Sequence, residues 1–225
     1  MKINEILEDY DYSKICSTYS TSFEIIAKGE KNLIIKICKN VDGLSKEIFE
    51  DLKNLSSFLN FESIIVAEKT SRKKLSKAIY FRKSISVIPF EYFEDFLLGN
   101  LKIFYSYGKF LVKIDFEKMR KRRKEIGLSI KKLSEITNIS KKTLYKIENG
   151  EVNPTIQNAK KLEEVLKIKL IKNLENNFER KEEYFFEKTS FIKGIDKVSE
   201  KLIVPKKEGL EEAEKLSKFL NLKII

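Results

Sequence analysis

The stretch from residue 115 to residue 155 constrains the fold of this chain more than any other, because its capping and turn residues are spaced for four short helices. Ser129, Ser140 and Thr155 are residue types that commonly cap helix N-termini. Asn138 stands between the second and third helices, and asparagine tolerates the left-handed backbone of a sharp turn. Apolar residues recur every three or four positions within the helices, which predicts a small helical core. The residues expected to face this core are Phe116, Met119, Ile126, Ile130, Leu133, Ile136, Leu144, Ile147, Ile156, Ala159, Leu162 and Val165.

This spacing resembles the helix-turn-helix of the phage-repressor, or xenobiotic-response-element (XRE), family. The positions that carry the resemblance are Leu133, Ser134, Asn138, Ile139, Ser140, Leu144, Glu148, Gly150 and Pro154. Two positions depart from the family pattern: Ile130 stands where glutamine is frequent, and Asn138 stands where glycine is commoner. The resemblance implies that the helix over residues 140–149 is a recognition helix, which lies in the major groove of double-stranded DNA.

The exposed face of the expected recognition helix carries side chains that can contact DNA. Lysine can donate to the edge of guanine, and threonine can contact a thymine methyl group. We expect base contacts from Lys142, Thr143 and Lys146. Contacts to phosphate position a protein on the duplex, and helix N-termini favour them. The residues expected to contact the DNA backbone are Arg120, Arg123, Ser129, Lys131, Lys141, Tyr145 and Asn149. Glu148 is expected to be the structural partner of an arginine in the first helix.

The charge of the chain is consistent with a polyanionic partner. The net charge is +11 and the calculated isoelectric point is near 9.3. Residues 116–153 hold 11 lysines and arginines against 5 acidic residues, so the positive charge is concentrated in the helical stretch. A basic patch of this kind favours nucleic acid as a partner.

The composition excludes several classes of site. Histidine is absent and the chain has two cysteines. A structural zinc ion takes four nitrogen or sulfur ligands, so a zinc site within one chain is excluded, as is catalysis through imidazole. Cys16 and Cys38 lie in apolar runs and are expected in the core. The sequence holds no apolar run long enough to span a membrane and begins without a signal-peptide pattern, so we expect a cytoplasmic protein without a cofactor.

The first 114 residues predict a mixed α/β domain. Two apolar runs, 22–27 and 32–38, flank a turn that contains glycine and read as a β-hairpin. Residues 45–60 carry leucine and isoleucine at helical spacing, and 63–67 form a strongly β-branched strand. The remaining elements expected in this domain are a helix over 2–9, strands over 77–81 and 84–88, a helix over 91–98, and a hairpin formed by 104–106 and 110–114.

This arrangement resembles a degenerate restriction-endonuclease-like fold. The segments that carry the resemblance are 22–28, 33–37 and 66–70. Coupled to this type of helix-turn-helix, the domain is similar to a family of archaeal transcriptional regulators. An active nuclease of this fold uses carboxylates to hold magnesium and a lysine to assist the attacking water. Glu24 and Lys36 match two such positions, but Ile34 replaces the intervening acid, so neither catalytic nor metal-ligating residues are expected.

The last part of the chain, residues 173–225, is expected to hold a connecting helix and a small α/β element. Thr189-Ser-Phe191 matches Thr21-Ser-Phe23, and residues 216–221 match residues 55–60. The matches occur in the same order as in the first domain, which indicates a shortened repeat of it. The sequence therefore predicts three domains, over residues 1–114, 115–172 and 173–225.

Three functions are compatible with these features. The resemblance favours a sequence-specific, DNA-binding transcriptional regulator that is not an enzyme. Because one helix-turn-helix reads few base pairs, we expect a symmetric homodimer whose flanking α/β domains form the interface, the C-terminal element being covered by a second chain. The first alternative is a DNA nuclease or processing factor that uses the N-terminal domain. The second is a protein-interaction factor, such as an antitoxin or a bridging factor.

Overall fold

A computed structural model describes residues 3–14, 21–174, 195–196, 201–202, 218–220 and 223–224. These residues fall into two compact units. The first unit comprises 3–14, 21–75, 81–93 and the four short C-terminal segments, and the second comprises 76–80 and 94–174. Within the described part of the chain, no helix is long and apolar enough to cross a membrane.

The first unit is built on a six-stranded sheet with two helices. In sheet order, the strands are β1 (Asp11–Lys14), β2 (Ile25–Lys28), β3 (Leu33–Asn40), β4 (Glu62–Lys69), β6 (Ile85–Pro89) and β5 (Tyr80–Arg82). The helices are α1 (Ile3–Ile6) and α2 (Lys46–Leu59), and short 3-10 turns span Val41–Gly43 and Phe90–Tyr92. The first three strands are antiparallel neighbours, whereas β3–β4 and β4–β6 are parallel.

The centre of this sheet is buried on both faces. Parallel strands covered on both sides read as continuous apolar runs, and β3 and β4 do so through Ile34, Ile35, Ile64 and Ile65, all fully buried. A crossover is required between parallel neighbours, and α2 supplies it. The helix packs through buried leucines, including Leu52, against the sheet.

The predicted fold class is confirmed, with differences at the ends of elements. The predicted hairpin forms, and Ile26 pairs with Ile34 in it. The helix predicted over 45–60 is α2, and the strand predicted over 63–67 is the longer β4. The strand predicted over 77–81 was placed too early, since only Tyr80–Arg82 is extended. The helix predicted over 91–98 is a 3-10 turn followed by a short helix, α3 (Phe93–Leu97).

The second unit combines a β-hairpin with most of α3 and with four further helices. The hairpin consists of β7 (Ile103–Ser106) and β8 (Lys109–Val112), and the helices are α4 (Phe116–Glu125), α5 (Ile130–Thr137), α6 (Lys141–Glu148) and α7 (Ile156–Leu166). The Val112 amide donates to the Pro154 carbonyl oxygen at 3.1 Å, and Leu111 is bridged to Thr155. The hairpin expected at the end of the first domain is thus hydrogen-bonded to the helices.

Most of the predicted helical core is buried. Met119, Leu133, Leu144 and Leu162 are inaccessible to solvent, and Val112 of the hairpin joins them. Three further residues expected in this core are substantially exposed instead. They are Phe116 at 38%, Ile126 at 41% and Ile136 at 51%.

The exposure of Ile136 follows from helix geometry. An α-helix turns by 100° per residue, so each three-residue step drifts about 60° around the helix. Ile136 therefore lies about 120° from Ile130, and Thr137 takes the inward position, where it is 2% exposed. Ile126 follows the last residue of α4 as its C-cap, outside the packed turns.

The described C-terminal segments form a small three-stranded sheet in the order β11 (Lys223–Ile224), β10 (Lys201–Leu202), β9 (Ile195–Asp196). Residues 218–220 are helical. The connecting helix expected over 173–188 lies outside the described residues except for its first two positions. The matching segment 189–191 and Cys16 also lie outside them. Cys38 is half-buried rather than fully in the core, and burial raises the pKa of its thiol to about 11.

Candidate nucleic-acid interface

The predicted capping residues position α5 and α6. The hydroxyl oxygen of Ser129 accepts from the Lys132 amide, and that of Ser140 accepts from the Thr143 amide, both at 3.1 Å. Asn138 has φ 55° and ψ 36°, the left-handed conformation expected at the turn. Side-chain caps satisfy amides that have no partner within the helix, which is why these short helices begin where the sequence predicts.

The ion pair between Arg123 and Glu148 attaches the expected recognition helix, α6, to α4. Arg123 donates from Nε to Glu148 Oε1 at 2.6 Å and from Nη2 to Oε2 at 3.0 Å. Its third nitrogen, Nη1, donates to the Leu128 carbonyl oxygen at 2.7 Å. Glu148 is 4% exposed. The hydrogen bond from Arg123 to Glu148 raises the pKa of the guanidinium, and the structural role expected for Glu148 is present.

Arg120 holds the C-terminal end of α6. Its Nη2 donates to the Glu148 carbonyl oxygen at 2.5 Å and to Asn149 Oδ1 at 2.7 Å. The last carbonyl groups of a helix lack intrahelical partners and carry partial negative charge, so a cation there stabilises the helix. Arg122 acts similarly on α7, since its Nε donates to the Leu166 carbonyl oxygen at 3.2 Å.

These contacts argue against the phosphate contacts expected for Arg120 and Arg123. The Arg123 side chain is 13% exposed and all three of its nitrogens donate within the chain. Asn149, also expected at the DNA backbone, accepts from Arg120 and donates to Glu151 at 3.2 Å. Arg120 and Arg123 of α4 therefore hold the C-terminal end of α6 in place.

Two features of the structure favour glycine at position 150, which follows α6. Its φ is +71°, a conformation that other residues adopt at a cost. A Cβ atom at this position would also lie 3.0 to 3.3 Å from carbons of the Phe116 ring. Phe116 thus packs over the end of α6, which explains why it is half-buried at the surface of the unit rather than inside its core.

The outward face of α6 remains available to a partner. Lys141, Lys142 and Tyr145 are exposed, and Thr143 and Lys146 are partly exposed. Within the described part of the chain, the ammonium groups of Lys141, Lys142 and Lys146 have no hydrogen-bond or ion-pair partner, and Lys131 of α5 has none either. The Thr143 hydroxyl lies 2.8 Å from that of Ser140.

Two lysines of α4 that are not among the predicted DNA contacts are exposed, like most lysines of α6. Lys121 and Lys124 are exposed and, among the described residues, their ammonium groups have no ionic or hydrogen-bond partner. Arg120 and Arg123 are three positions apart, which places both on the same face of α4, and Lys121 and Lys124 repeat that spacing on the adjacent face. Glu148 was expected to pair with an arginine of α4. From that expectation, the spacing could have indicated that the two arginines face Glu148 and that the two lysines lie on a different face.

The remaining part of the nuclease-like pattern, in the first unit, forms a closed ion pair. Lys36, which is 5% exposed, donates from Nζ to Glu24 Oε1 at 2.7 Å and to the Thr21 carbonyl oxygen at 2.6 Å. The other carboxylate oxygen of Glu24 accepts from the Ile37 amide at 2.6 Å. Ile34 is fully buried. Among the described residues, no three cysteine, aspartate or glutamate side chains come together in a group that could hold a metal ion.

Comparisons with known proteins agree with this architecture. Residues 1–103 match the PD-(D/E)XK superfamily domain, and residues 119–172 match the helix-turn-helix family. Three relatives carry the name "Putative HTH-type transcriptional regulatory protein". The Methanococcus maripaludis relative is 37% identical over 155 residues, which is 68% of this chain and 48% of the relative. The Methanocaldococcus jannaschii relative is 33% identical over 184 residues, 76% of this chain and 58% of the relative.

The third relative, from Methanococcus vannielii, is 32% identical over 201 residues, 88% of this chain and 59% of its own length. The chain thus spans about half the length of the curated relatives that it matches. No solved structure matches the chain. By these matches the chain combines a PD-(D/E)XK superfamily domain with a helix-turn-helix domain, and it is similar to archaeal proteins that carry the name "Putative HTH-type transcriptional regulatory protein".

Proposed function

We propose that this protein is a sequence-specific DNA-binding transcriptional regulator in which α6 enters the major groove. The proposal rests on a difference between two groups of cationic side chains in the helical unit. Arg120 and Arg123 are engaged in orienting α6, whereas the lysines on its outward face have no partner among the described residues. A rigidly held helix with free cationic side chains is suited to reading a polyanion. The names of the relatives support regulation of transcription as the outcome.

In this proposal, base contacts come from Lys142, Thr143 and Lys146. The backbone contacts come from Ser129, Lys131, Lys141 and Tyr145, with Lys121 and Lys124 in place of the two anchoring arginines. The amides at the start of α6 add to the attraction of phosphate, since a helix N-terminus carries partial positive charge.

The proposed phosphate contacts predict the salt dependence of binding. Neutralising four phosphates, one each by Lys121, Lys124, Lys131 and Lys141, gives a slope of log affinity against log salt of about −4. Lys131→Ala and Lys141→Ala should each reduce the magnitude of this slope by about one. Lys160→Ala is a matched control, because Lys160 is an exposed lysine of α7 without a partner among the described residues. A slope near zero would contradict the phosphate contacts.

We further propose that the protein acts in the cytoplasm as a symmetric homodimer. One recognition helix contacts a few base pairs, which is too little to select one site in a genome, and paired half-sites overcome this limit. Light scattering of the protein on its enriched duplex tests the stoichiometry. A single chain of about 26 kDa on each duplex would rule out the dimer.

The match to the PD-(D/E)XK superfamily favours one second candidate, a DNA nuclease. We propose that the domain does not cleave DNA, because Glu24 is neutralised by Lys36 and Ile34 replaces the second acid. Incubation of the purified protein with plasmid and magnesium decides between the two. Cleavage that is lost in Lys36→Ala would establish the nuclease.

A protein-interaction role would be favoured instead if the protein enriched no DNA sequence from a random pool.

A further inference from the structure

The two sequence matches between the ends of the chain make a quantitative prediction about strand pairing. If Thr189 is aligned with Thr21, then Lys201 is equivalent to Leu33. If Leu216 is aligned with Leu55, then Lys223 is equivalent to Glu62. Both equivalences follow from the sequence alone. Together they require Lys201 to pair with Lys223 wherever Leu33 pairs with Glu62.

The structure contains this pairing. Strands β3 and β4 are parallel and place Leu33 opposite Glu62. Strands β10 and β11 are also parallel and place Lys201 opposite Lys223. A strand that slips by one residue reverses the face of every side chain, so equal register is a stronger agreement than equal order.

The neighbouring elements repeat the same topology. Strand β9 is antiparallel to β10, as β2 is to β3, although its pairing is shifted by one residue. The sheet order β9-β10-β11 reproduces β2-β3-β4. Residues 218–220 are helical, and the alignment places them on residues 57–59, the last residues of α2.

The two sheets belong to the same compact unit, and one described contact joins them. Lys28, the last residue of β2, donates from Nζ to the carbonyl oxygen of Phe219. The same ammonium group lies 4.5 Å from the centre of the Phe219 ring. A lysine that satisfies a helical carbonyl group while lying over an aromatic ring makes two favourable contacts with one residue.

We propose that the C-terminal segment is a second, shortened copy of the β2–β3–α2–β4 unit, and that it docks in cis on the first copy through Phe219 and Lys28. The partner for this surface is therefore the same chain and not the second chain that the sequence analysis expected. By the same alignment, Ile192 and Val204 stand where the first copy has Glu24 and Lys36. The second copy thus retains the topology and replaces the ion pair by apolar residues, which suits a structural and interacting role.

A crosslinking experiment tests docking in cis. In the full chain with Cys16→Ser and Cys38→Ser, Lys28→Cys and Phe219→Cys are combined and treated with a short bis-maleimide. A direct disulfide is a poorer probe, because a lysine side chain separates its own backbone from its partner by more than disulfide geometry allows. We expect a product of monomer size whose yield is independent of protein concentration, with residues 28 and 219 linked in its peptides.

A mixture of the two single-cysteine variants is the matched control. We expect no dimer-sized product from this mixture. A dimer-sized product from the mixture would show that this segment docks on a second chain. Because the double variant removes both contacting side chains, only the absence of product from both the double variant and the photoreactive variant described next would show that the segment does not dock on Lys28. To guard against misfolded variants, Phe219 is also replaced by photoreactive benzoylphenylalanine, which retains the aromatic ring. Light should then join position 219 to the peptide that contains Lys28, and a crosslink to any other segment would overturn the proposal.

Discussion

Arg123→Ala should destabilise the helical unit more than any other single arginine substitution on α4. The change removes two hydrogen bonds to Glu148 and one to the Leu128 carbonyl oxygen. It also leaves the Glu148 carboxylate, 4% exposed, without its counter-charge. Removing one member of a buried ion pair costs about 3–5 kcal/mol. In a unit of this size, that loss lowers the melting temperature by at least about 12 °C.

Hydrogen–deuterium exchange by mass spectrometry is the suitable assay, because peptides from α4 to α6 report on the helical unit separately from the sheet. The amides of α6 should exchange faster in Arg123→Ala by a factor of about 100 or more, the equivalent of 3 kcal/mol. Lys124→Ala is the matched control, since Lys124 is the adjacent exposed cation without a partner among the described residues. A double variant, Arg123→Met with Glu148→Leu, should recover most of the stability, because the orphaned charge is then absent.

One outcome would refute this reasoning. If Arg123→Ala left exchange and melting unchanged but weakened binding to all DNA sequences alike, Arg123 would be a phosphate contact. That role is the one predicted from the sequence. The anchoring of α6 by the two arginines would then be wrong.

Three further predictions follow from single contacts. Asn138→Gly should keep the melting temperature nearly unchanged, whereas Asn138→Val should cost about 1–2 kcal/mol, because a β-branched residue is strained at φ 55°; equal melting temperatures would contradict this. A hydrogen bond from the Lys118 amide lowers the pKa of Asp115, so its stabilising effect is complete above about pH 4 and is lost as pH falls through the folded-state pKa. Asp115→Asn should therefore reduce acid sensitivity, and an unchanged pH profile would argue against the cap. Glu24→Ile and Lys36→Val should each destabilise the first unit by about 3 kcal/mol and the double variant by much less, and additive losses would disprove the paired role.

The helix-turn-helix could be predicted from sequence because its determinants are local. Ser129 and Ser140 cap helices that begin one residue later, and Asn138 takes its backbone conformation from its own side chain and neighbours. These local interactions join residues that are three or four positions apart, so they can be recognised in a single sequence. The same periodicity predicted the buried core residues in those helices that are long enough to show which face points inward.

Several features that the sequence did not reveal are decided by distant residues. Arg120 and Lys121 look alike in sequence, and only the position of α6 makes one an anchor and leaves the other exposed. Likewise, Val112 bonds to Pro154, a contact between residues far apart in sequence, so the hairpin could not be assigned to the helices from its own residues. The ion pair of Glu24 and Lys36 was predicted as two positions of a pattern, but its closed geometry was not.

The most direct test of the central claim, that α6 reads DNA, is selection of duplexes from a random pool by the purified protein and by Thr143→Ala and Lys146→Ala. We expect the protein to enrich one motif made of two related half-sites. We also expect each variant to change the preferred base at individual positions of the half-site while the other positions stay the same. Enrichment of the same motif by all three proteins, or of none by any, would contradict this claim.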